Sequence, residues 1–494
     1  MTILDFDPNQ VAFPKGHFIG GFLTDGEDDV LEVRRPSDGQ PYAYLPIASA
    51  SVVDRAVSNA RDAFHGSDWA TGAPRARARI LRRWADLIEV HGVELAQIEA
   101  LGSTRPVKDV LTVDIPYAAD CLRFFAEYAD KLGGDVAATR NDHLGMVIGE
   151  PYGVVATIAP WNFPITQAVT KIGPALAAGN AVVLKPSELT PFSALRLAQI
   201  AIEAGMPLGI FNVVQGTGAV TGDALCRHPG VGKISFTGST RTGASIMTAS
   251  AESGIKPVTL ELGGKSPQLV FADAADLDKV ARSIAQSILG NAGQVCVAGS
   301  RLIVQRSVQA ELLDRIGQLA RAIRPGPTWA ADTSYSPIIS GGQLSRIDDI
   351  VQSTLGQGGE AFIGGRRLDA AGEGAFYEPT ILLGVTSEME AVREEIFGPV
   401  LTVQAFDDEA EGLALAAHPH YGLAAGVHTA DLSKALRAVR SIKAGTVWVN
   451  RYGRTADYVI PTGGYHSSGI GKDLGRQAVE ANMRFKSVLV DFSQ

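Results

Sequence analysis

The run Gly153-Val154-Val155-Ala156-Thr157-Ile158-Ala159-Pro160-Trp161-Asn162-Phe163-Pro164 decides the fold. Residues 154–158 form a short apolar run without polar alternation, which suits a strand buried on both faces. The pattern repeats downstream at residues 181–184, 211–214, 233–236 and 258–260. Helical spacing fills the intervals at 164–177, 190–204, 217–227 and 239–251. In the second of these helices Thr190 is a candidate N-cap before Pro191, and Gly205 with Pro207 beyond marks the end. Strands alternating with helices imply a parallel sheet wound on both faces. Such a sheet places its ligand at the carboxyl ends of its strands.

Working outward, a second alternation starts at Pro267, with strands expected near 268–271, 301–304, 401–406, 425–428 and 446–449. Its helices are expected at 276–291, 308–322, 387–395 and 431–442. The first 130 residues read mainly as helix, at 50–64, 74–90 and 118–132, with Pro74 suited to a first turn. Arg75, Arg77, Arg79, Arg82 and Arg83 read as a solvated helix face rather than an anion site, because Ile80, Leu81, Trp84 and Leu87 supply a buried side. Residues 133–152 suit a hairpin, and 487–492 suit an edge strand. There is no internal repeat and no low-complexity stretch.

A chain of 494 residues exceeds one typical core, so two or three domains are expected. A net charge of −9 offers no basic field for nucleic acid or an anionic membrane. Cys121, Cys226 and Cys296 are too few and too scattered for a disulfide framework or a metal site, which suits a reducing compartment. Residues 1–20 lack the apolar core of a signal peptide, and no apolar run approaches the roughly 20 residues of a membrane span. A cytoplasmic protein with no metal is expected.

Six local patterns carry chemistry. They are Pro160-Trp161-Asn162-Phe163-Pro164, Lys185-Pro186-Ser187-Glu188, Phe236-Thr237-Gly238-Ser239-Thr240 with Gly243 beyond, Glu261-Leu262-Gly263-Gly264-Lys265, Gly293-Gln294-Val295-Cys296, and Glu394-Glu395-Ile396-Phe397-Gly398-Pro399. A thiolate adds readily to electrophilic carbon, and a carboxylate can activate water to release the adduct. Taken singly each piece is weak: a cysteine is usually a small buried hydrophobe, and a phosphate signal of two glycines is common.

In this order the six patterns resemble the NAD(P)-dependent aldehyde dehydrogenase superfamily, from about residue 20 to the end. The resemblance implies an α/β fold with three parts. A Rossmann-type cofactor domain would take 1–132 and 153–262, a catalytic domain 263–474, and a small β oligomerisation element 133–152 with 475–494. A homodimer or homotetramer is implied, acting on a small aldehyde.

By the same resemblance Cys296 attacks the aldehyde, the Asn162 amide and the Cys296 N–H hold the oxyanion, and Glu261 activates the hydrolytic water. Asn162 also suits a helix cap, and Glu261 a buried ion pair. Gly238, Ser239 and Gly243 would meet a pyrophosphate at a helix N-terminus. Lys185, Ser187 and Glu188 match adenosine-ribose contacts, and the carboxylate favours NAD over NADP. Glu395 would hold the second ribose, with Phe397 beside it. Ile158, Pro160, Trp161, Phe236 and Leu262 complete the implied cofactor contacts.

Lys171 and Asp473 match a proton relay. The family commonly has Glu at the latter position, and surface ion pairing is the alternative. Phe163, Thr170, Val295, Val297 and Thr462 fall on positions that face the substrate. Thr170 and Thr462 stand where relatives often place aromatic rings, so a wider and more polar tunnel is expected. The segment from Arg451 to Tyr458 would add charges and phenols at its mouth. The run around Cys296 is similar to branches that oxidise ω-aminoaldehydes and γ-glutamylaminobutyraldehyde, with aromatic or other bulky aldehydes as the alternative. Coenzyme A-acylating and non-catalytic relatives are the alternatives, but the former usually lack the Glu261 base and the latter need not keep all three groups.

Overall fold

The computed structural model describes residues 4–25, 29–368 and 374–493. Residues 1–3, 26–28, 369–373 and 494, which belong to the expected domain spans, lie outside those described.

The five apolar runs form parallel strands β1 (Val154–Ile158), β2 (Ala181–Lys185), β3 (Phe211–Val213), β4 (Lys233–Thr237) and β5 (Val258–Glu261), side by side in the order β3-β2-β1-β4-β5. An antiparallel hairpin, His17–Ile19 with Phe22–Thr24, extends the sheet beyond β3. Gly469–Ile470 runs antiparallel to β5 at the other edge, placing Gly469 opposite Glu261. Helices α1 (Pro164–Ala177), α2 (Phe192–Glu203) and α3 (Thr240–Glu252) connect the strands. The order reverses between β1 and β4, and ligand crevices form at that point in doubly wound sheets. Ile158 stands beside Phe236 and Thr237 beside Glu261, so the loops after β1, β4 and β5 leave one edge of the sheet together.

A second sheet follows, from β6 (Pro267–Val270), β7 (Arg301–Gln305), β8 (Glu360–Ile363), β9 (Thr380–Leu383), β10 (Val400–Phe406), β11 (Ala424–His428) and β12 (Thr446–Val449). Their order is β8-β9-β10-β7-β6-β11-β12, parallel except at β8–β9. A three-stranded antiparallel sheet stands apart, with His143–Pro151 between Asp135–Ala137 and Met483–Asp491.

Several expectations need correction. Ahead of the expected helices stand four short strands that were not anticipated, His17–Ile19, Phe22–Thr24, Val30–Arg34 and Pro41–Pro46. Helix α2 starts at Phe192 with Pro191 as its cap residue, and Thr190 makes no side-chain cap bond. The expected helix 217–227 divides into a π turn, Gly218–Gly222, and an α turn, Asp223–Arg227. The expected helix 387–395 shrinks to Glu390–Arg393. Arg77 is buried, not solvated, and its guanidinium donates to the Trp69 carbonyl.

Candidate active site

The Cys296 loop follows a helix, Leu277–Leu289, that ends in a tight turn at Gly290–Gly293. Asn291 and Ala292 take left-handed φ values of 51° and 49°, and Gly293 follows at 72°. Such conformations cost non-glycine residues about 1–3 kcal/mol each and persist only where neighbours hold them. Side-chain amides do so here. Asn291 Nδ2 donates to the Asn162 carbonyl at 3.0 Å, and Asn291 Oδ1 accepts from the Thr104 hydroxyl at 2.6 Å. Gln294, fully buried, donates to the Asn291 and Pro337 carbonyls and accepts from the Ile339 N–H. The Asn162 amide in turn donates to the Gln294 carbonyl at 3.0 Å, which draws the loop after β1 to within two residues of Cys296. Gln294 and Asn291 were not singled out from the sequence. The glutamine two residues before the thiol was the available signal.

Glu261 ends β5, and the chain leaves through Gly263 and Gly264 between two parts of the site. A Cβ at Gly264 would lie 2.7 Å from the Cys296 carbonyl oxygen, and one at Gly263 would lie 2.3 Å from Glu395 Oε2. At Gly264, where the opposing atom is backbone, glycine is thus required by close approach. Glu395 accepts from the Gly264 N–H at 3.0 Å. Beside it Phe397, with φ 56°, packs edge-on against Trp161 with ring centroids 5.2 Å apart. The Phe163 ring has the Arg105 guanidinium 4.6 Å above it, and Arg105 is anchored by the buried Asp114.

The charges are unusual for a buried site. The Glu261 carboxylate is 4% exposed, and neither oxygen has a hydrogen-bond partner among the described residues. Burial pushes its pKa well above the ordinary carboxylate range, Asp473 pushes the same way, and Lys171 and Arg454 pull it down. Lys171 and Asp473 lie 2.8 Å apart, both buried, which corrects the surface reading of that pair. The Lys171 ammonium is close to the carboxylate but off hydrogen-bond geometry. The half-buried Cys296 thiol is raised by desolvation and drawn down first by Arg454. Burial raises Glu395 to about 7.

The expected substrate positions are dispersed around this centre. Thr170 is buried with its hydroxyl donating to the Thr166 carbonyl, and Thr462 is buried and pairs with the backbone of Asp473. Val295 packs against the aliphatic core of the second sheet, while the Val297 carbonyl accepts from the Tyr452 hydroxyl at 2.8 Å.

On the first sheet, the residues expected to meet a dinucleotide gather at the carboxyl ends of β1, β2 and β4 and at the start of α3. Ser239 caps α3, a thirteen-residue helix, by accepting from the Thr242 N–H. Gly243 leaves room beside Leu262, whose side chain a Cβ there would meet at 2.7 Å. Gly238 sits against the buried Phe236 ring, which a Cβ would meet at 2.4 Å. Lys185, at the carboxyl end of β2, is buried with its ammonium 3.2 Å from Glu188 Oε2, and the Ser187 hydroxyl accepts from the Leu189 N–H. Ile158 and Pro160 stand at the end of β1 beside this crevice. Among the described residues no group of three or more His, Cys, Asp or Glu could hold a metal ion, and no helix is long and apolar enough to cross a membrane.

This arrangement, a thiol loop and an unpaired carboxylate beside a doubly wound sheet, suits a nucleotide-linked oxidoreductase. The aldehyde dehydrogenase family profile matches residues 23–488. The chain is 42% identical to the NADP/NAD-dependent aldehyde dehydrogenase PuuC of Escherichia coli, covering 96% of this chain and 95% of that protein. It is 41% identical to an indole-3-acetaldehyde dehydrogenase solved with NAD+, with a TM-score of 0.96 over 98% of both chains. It is 43% identical to the γ-glutamyl-γ-aminobutyraldehyde dehydrogenase of Burkholderia cenocepacia, with a TM-score of 0.95 over 98% of both chains. The chain belongs to the aldehyde dehydrogenase family, as the motifs led one to expect, and is an oxidoreductase acting on the aldehyde group.

Proposed function

We propose that the protein oxidises an aldehyde to the free carboxylic acid with NAD, through a thioester on Cys296 that Glu261-activated water hydrolyses. The observation that carries this reading is the convergence of two chain segments. The glycines just after Glu261 pass against the Cys296 carbonyl and the Glu395 carboxylate.

Cys296 Sγ adds to the aldehyde carbon, and the carbonyl oxygen gains the charge. The Asn162 amide and the Cys296 N–H would receive that charge, since donors fixed in advance stabilise it without reorganising. NAD, when bound, supplies the hydride acceptor that turns the tetrahedral adduct into a thioester. Lys185, Ser187 and Glu188 would hold its adenosine end, Gly238, Ser239 and Gly243 its pyrophosphate, and Glu395 with Phe397 its nicotinamide end. Trp161, Leu262, Ile158, Pro160 and Phe236 would line that path. The Glu188 carboxylate favours a free 2′-hydroxyl, while Lys185 leaves some room for NADP.

Glu261 then takes a proton from water as it attacks the thioester carbon, and sulfur leaves as thiolate. An elevated pKa suits a base that must hold a proton at neutral pH. Lys171 and Asp473 would carry that proton onward. Phe163, Thr170, Val295, Val297 and Thr462 would form the wall around the aldehyde, and likeness to the γ-glutamyl-γ-aminobutyraldehyde enzyme supports a long, polar substrate.

The protein would act in the cytoplasm as a homodimer or homotetramer assembled through the three-stranded sheet. Its cofactor domain would comprise 1–132 and 153–262, its catalytic domain 263–474, and its assembly element 133–152 with 475–494. Rapid-quench measurement of acyl-enzyme tests the chemistry. Cys296→Ala should lose NADH formation by about 10³-fold or more, and Glu261→Gln should accumulate a thioester after one burst of NADH. Unchanged thioester hydrolysis in the Glu261 variant would remove it from that role. Strict dependence of turnover on added coenzyme A would point instead to acyl transfer.

A further inference from the structure

Arginines inside this protein are otherwise engaged. Arg35 pairs with Asp38, and Arg105 with Asp114. Arg77 donates to the Trp69 carbonyl, and Arg301 spends its guanidinium on the carbonyls of Lys265, Leu415, Ala416 and Ala417. Arg454 differs. It is partly buried, its Nε is fully covered with no hydrogen-bond partner, and it makes no ion pair with any described residue. The nearest carboxylate along the chain, Asp457, is turned to the Thr455 hydroxyl instead.

The loop that carries Arg454 is fastened on both sides of it. Upstream, Tyr452 packs its ring at a tilt against Trp448 and donates to the Val297 carbonyl, one residue from the thiol. Downstream, buried Tyr458 packs edge-on against Tyr117 at 5.1 Å and donates to its carbonyl. Tyr117 and Cys121 lie one turn apart on the helix Ile115–Tyr128, and the Thr170 hydroxyl lies against both. The Arg454 charge acts on Cys296, Glu261, Asp473, Tyr117 and Cys121, which come from separate segments around the site. A guanidinium is always charged and presents a planar fork of donors that matches a carboxylate. The two terminal nitrogens of Arg454, unlike Nε, are not fully covered and have no hydrogen-bond partner among the described residues, so that end of the fork is open to an anion.

We propose that Arg454 receives an anionic group, a carboxylate at the end of the substrate remote from its aldehyde, so that the enzyme selects acidic aldehydes over neutral or cationic ones of equal size. This rests on the aldehyde-oxidising reading above. It also sharpens the likeness to the aminoaldehyde branches. A simple ω-aminoaldehyde would bring its ammonium towards Arg454 and be repelled, whereas a substrate whose distal end carries a carboxylate would be held.

The test compares 4-carboxybenzaldehyde with 4-methylbenzaldehyde, in the presence of NAD, for the wild type, Arg454→Met and Arg454→Lys. The wild type should prefer the acid in kcat/KM. In Arg454→Met that preference should fall about 10–100-fold, mainly through KM for the acid, as expected for loss of a charge-assisted contact. Arg454→Lys should recover part of it. A wild-type preference for the neutral aldehyde overturns the proposal. So does an equal loss on both substrates in Arg454→Met, which would make Arg454 a group that serves Cys296. If the wild type oxidises neither aldehyde, the aldehyde-oxidising reading fails on these substrates, and calorimetry decides the anion site alone. Terephthalate binding that weakens in Arg454→Met, with 4-methylbenzoate binding weaker in the wild type, upholds the site; terephthalate binding indifferent to the substitution overturns it.

Discussion

Glu261 is the residue whose surroundings say most about its work. A carboxylate without a partner, 4% exposed, must either be protonated or face a compensating charge. Asp473 and Lys171 act on it with opposite signs, and that makes their influence separable. A base acts only when ionised, so thioester hydrolysis should rise with pH through the elevated Glu261 pKa. Removing the negative neighbour in Asp473→Asn should move that rise to lower pH, and removing the positive one in Lys171→Met should move it to higher pH, each by about one pH unit or more. Single-turnover hydrolysis of a preformed acyl-enzyme across pH 5–10 would read it. Shifts of the same sign in both variants would show that neither charge tunes the base.

At the scale of elements, the turn between β5 and β6 joins the two chemistries, and its two glycines do different jobs. A methyl at Gly264 meets backbone, the Cys296 carbonyl at 2.7 Å, which the amide network around Gln294 holds in place. A methyl at Gly263 meets the free end of a side chain, Glu395, which can swing away. Gly264→Ala should therefore lower kcat at least about 10-fold and cost about 1–3 kcal/mol of stability, as overpacking does. Gly263→Ala should instead raise KM for NAD with little change in thermal midpoint. Steady-state kinetics and thermal unfolding separate the two, and identical effects would contradict the assignment.

The parallel strands around this turn were legible because both of their faces are buried and their runs are continuously apolar. Helix Gly341–Gly356 and strands β8 and β9 were missed, and the helix opens on two glycines that read as a loop. Cys296, Glu261 and Asn162 were legible as motifs. The amide network of Asn291 and Gln294 and the isolation of Arg454 were not, because both depend on which partners the fold brings near.

At the scale of the molecule, the three-stranded sheet is unlike the other two. The central strands of the parallel sheets are buried throughout, but here Phe485 and Leu489 are 56% and 65% exposed on one face, over Gly149 and Gly145. Leu144, Ile148 and Val490 are exposed on the opposite face. Met483–Asp491 is also an edge strand, with one row of backbone donors and acceptors unpaired by the chain. An apolar surface and an open edge together favour a second copy of the protein, since each alone would invite aggregation. Phe485→Lys with Leu489→Lys should yield a smaller species by sedimentation velocity, while secondary structure by circular dichroism is kept. Both lysines lie in a strand held by nine register pairs to His143–Pro151, so the sheet itself should survive the change. An unaltered sedimentation coefficient in a folded double variant would place assembly elsewhere on the molecule.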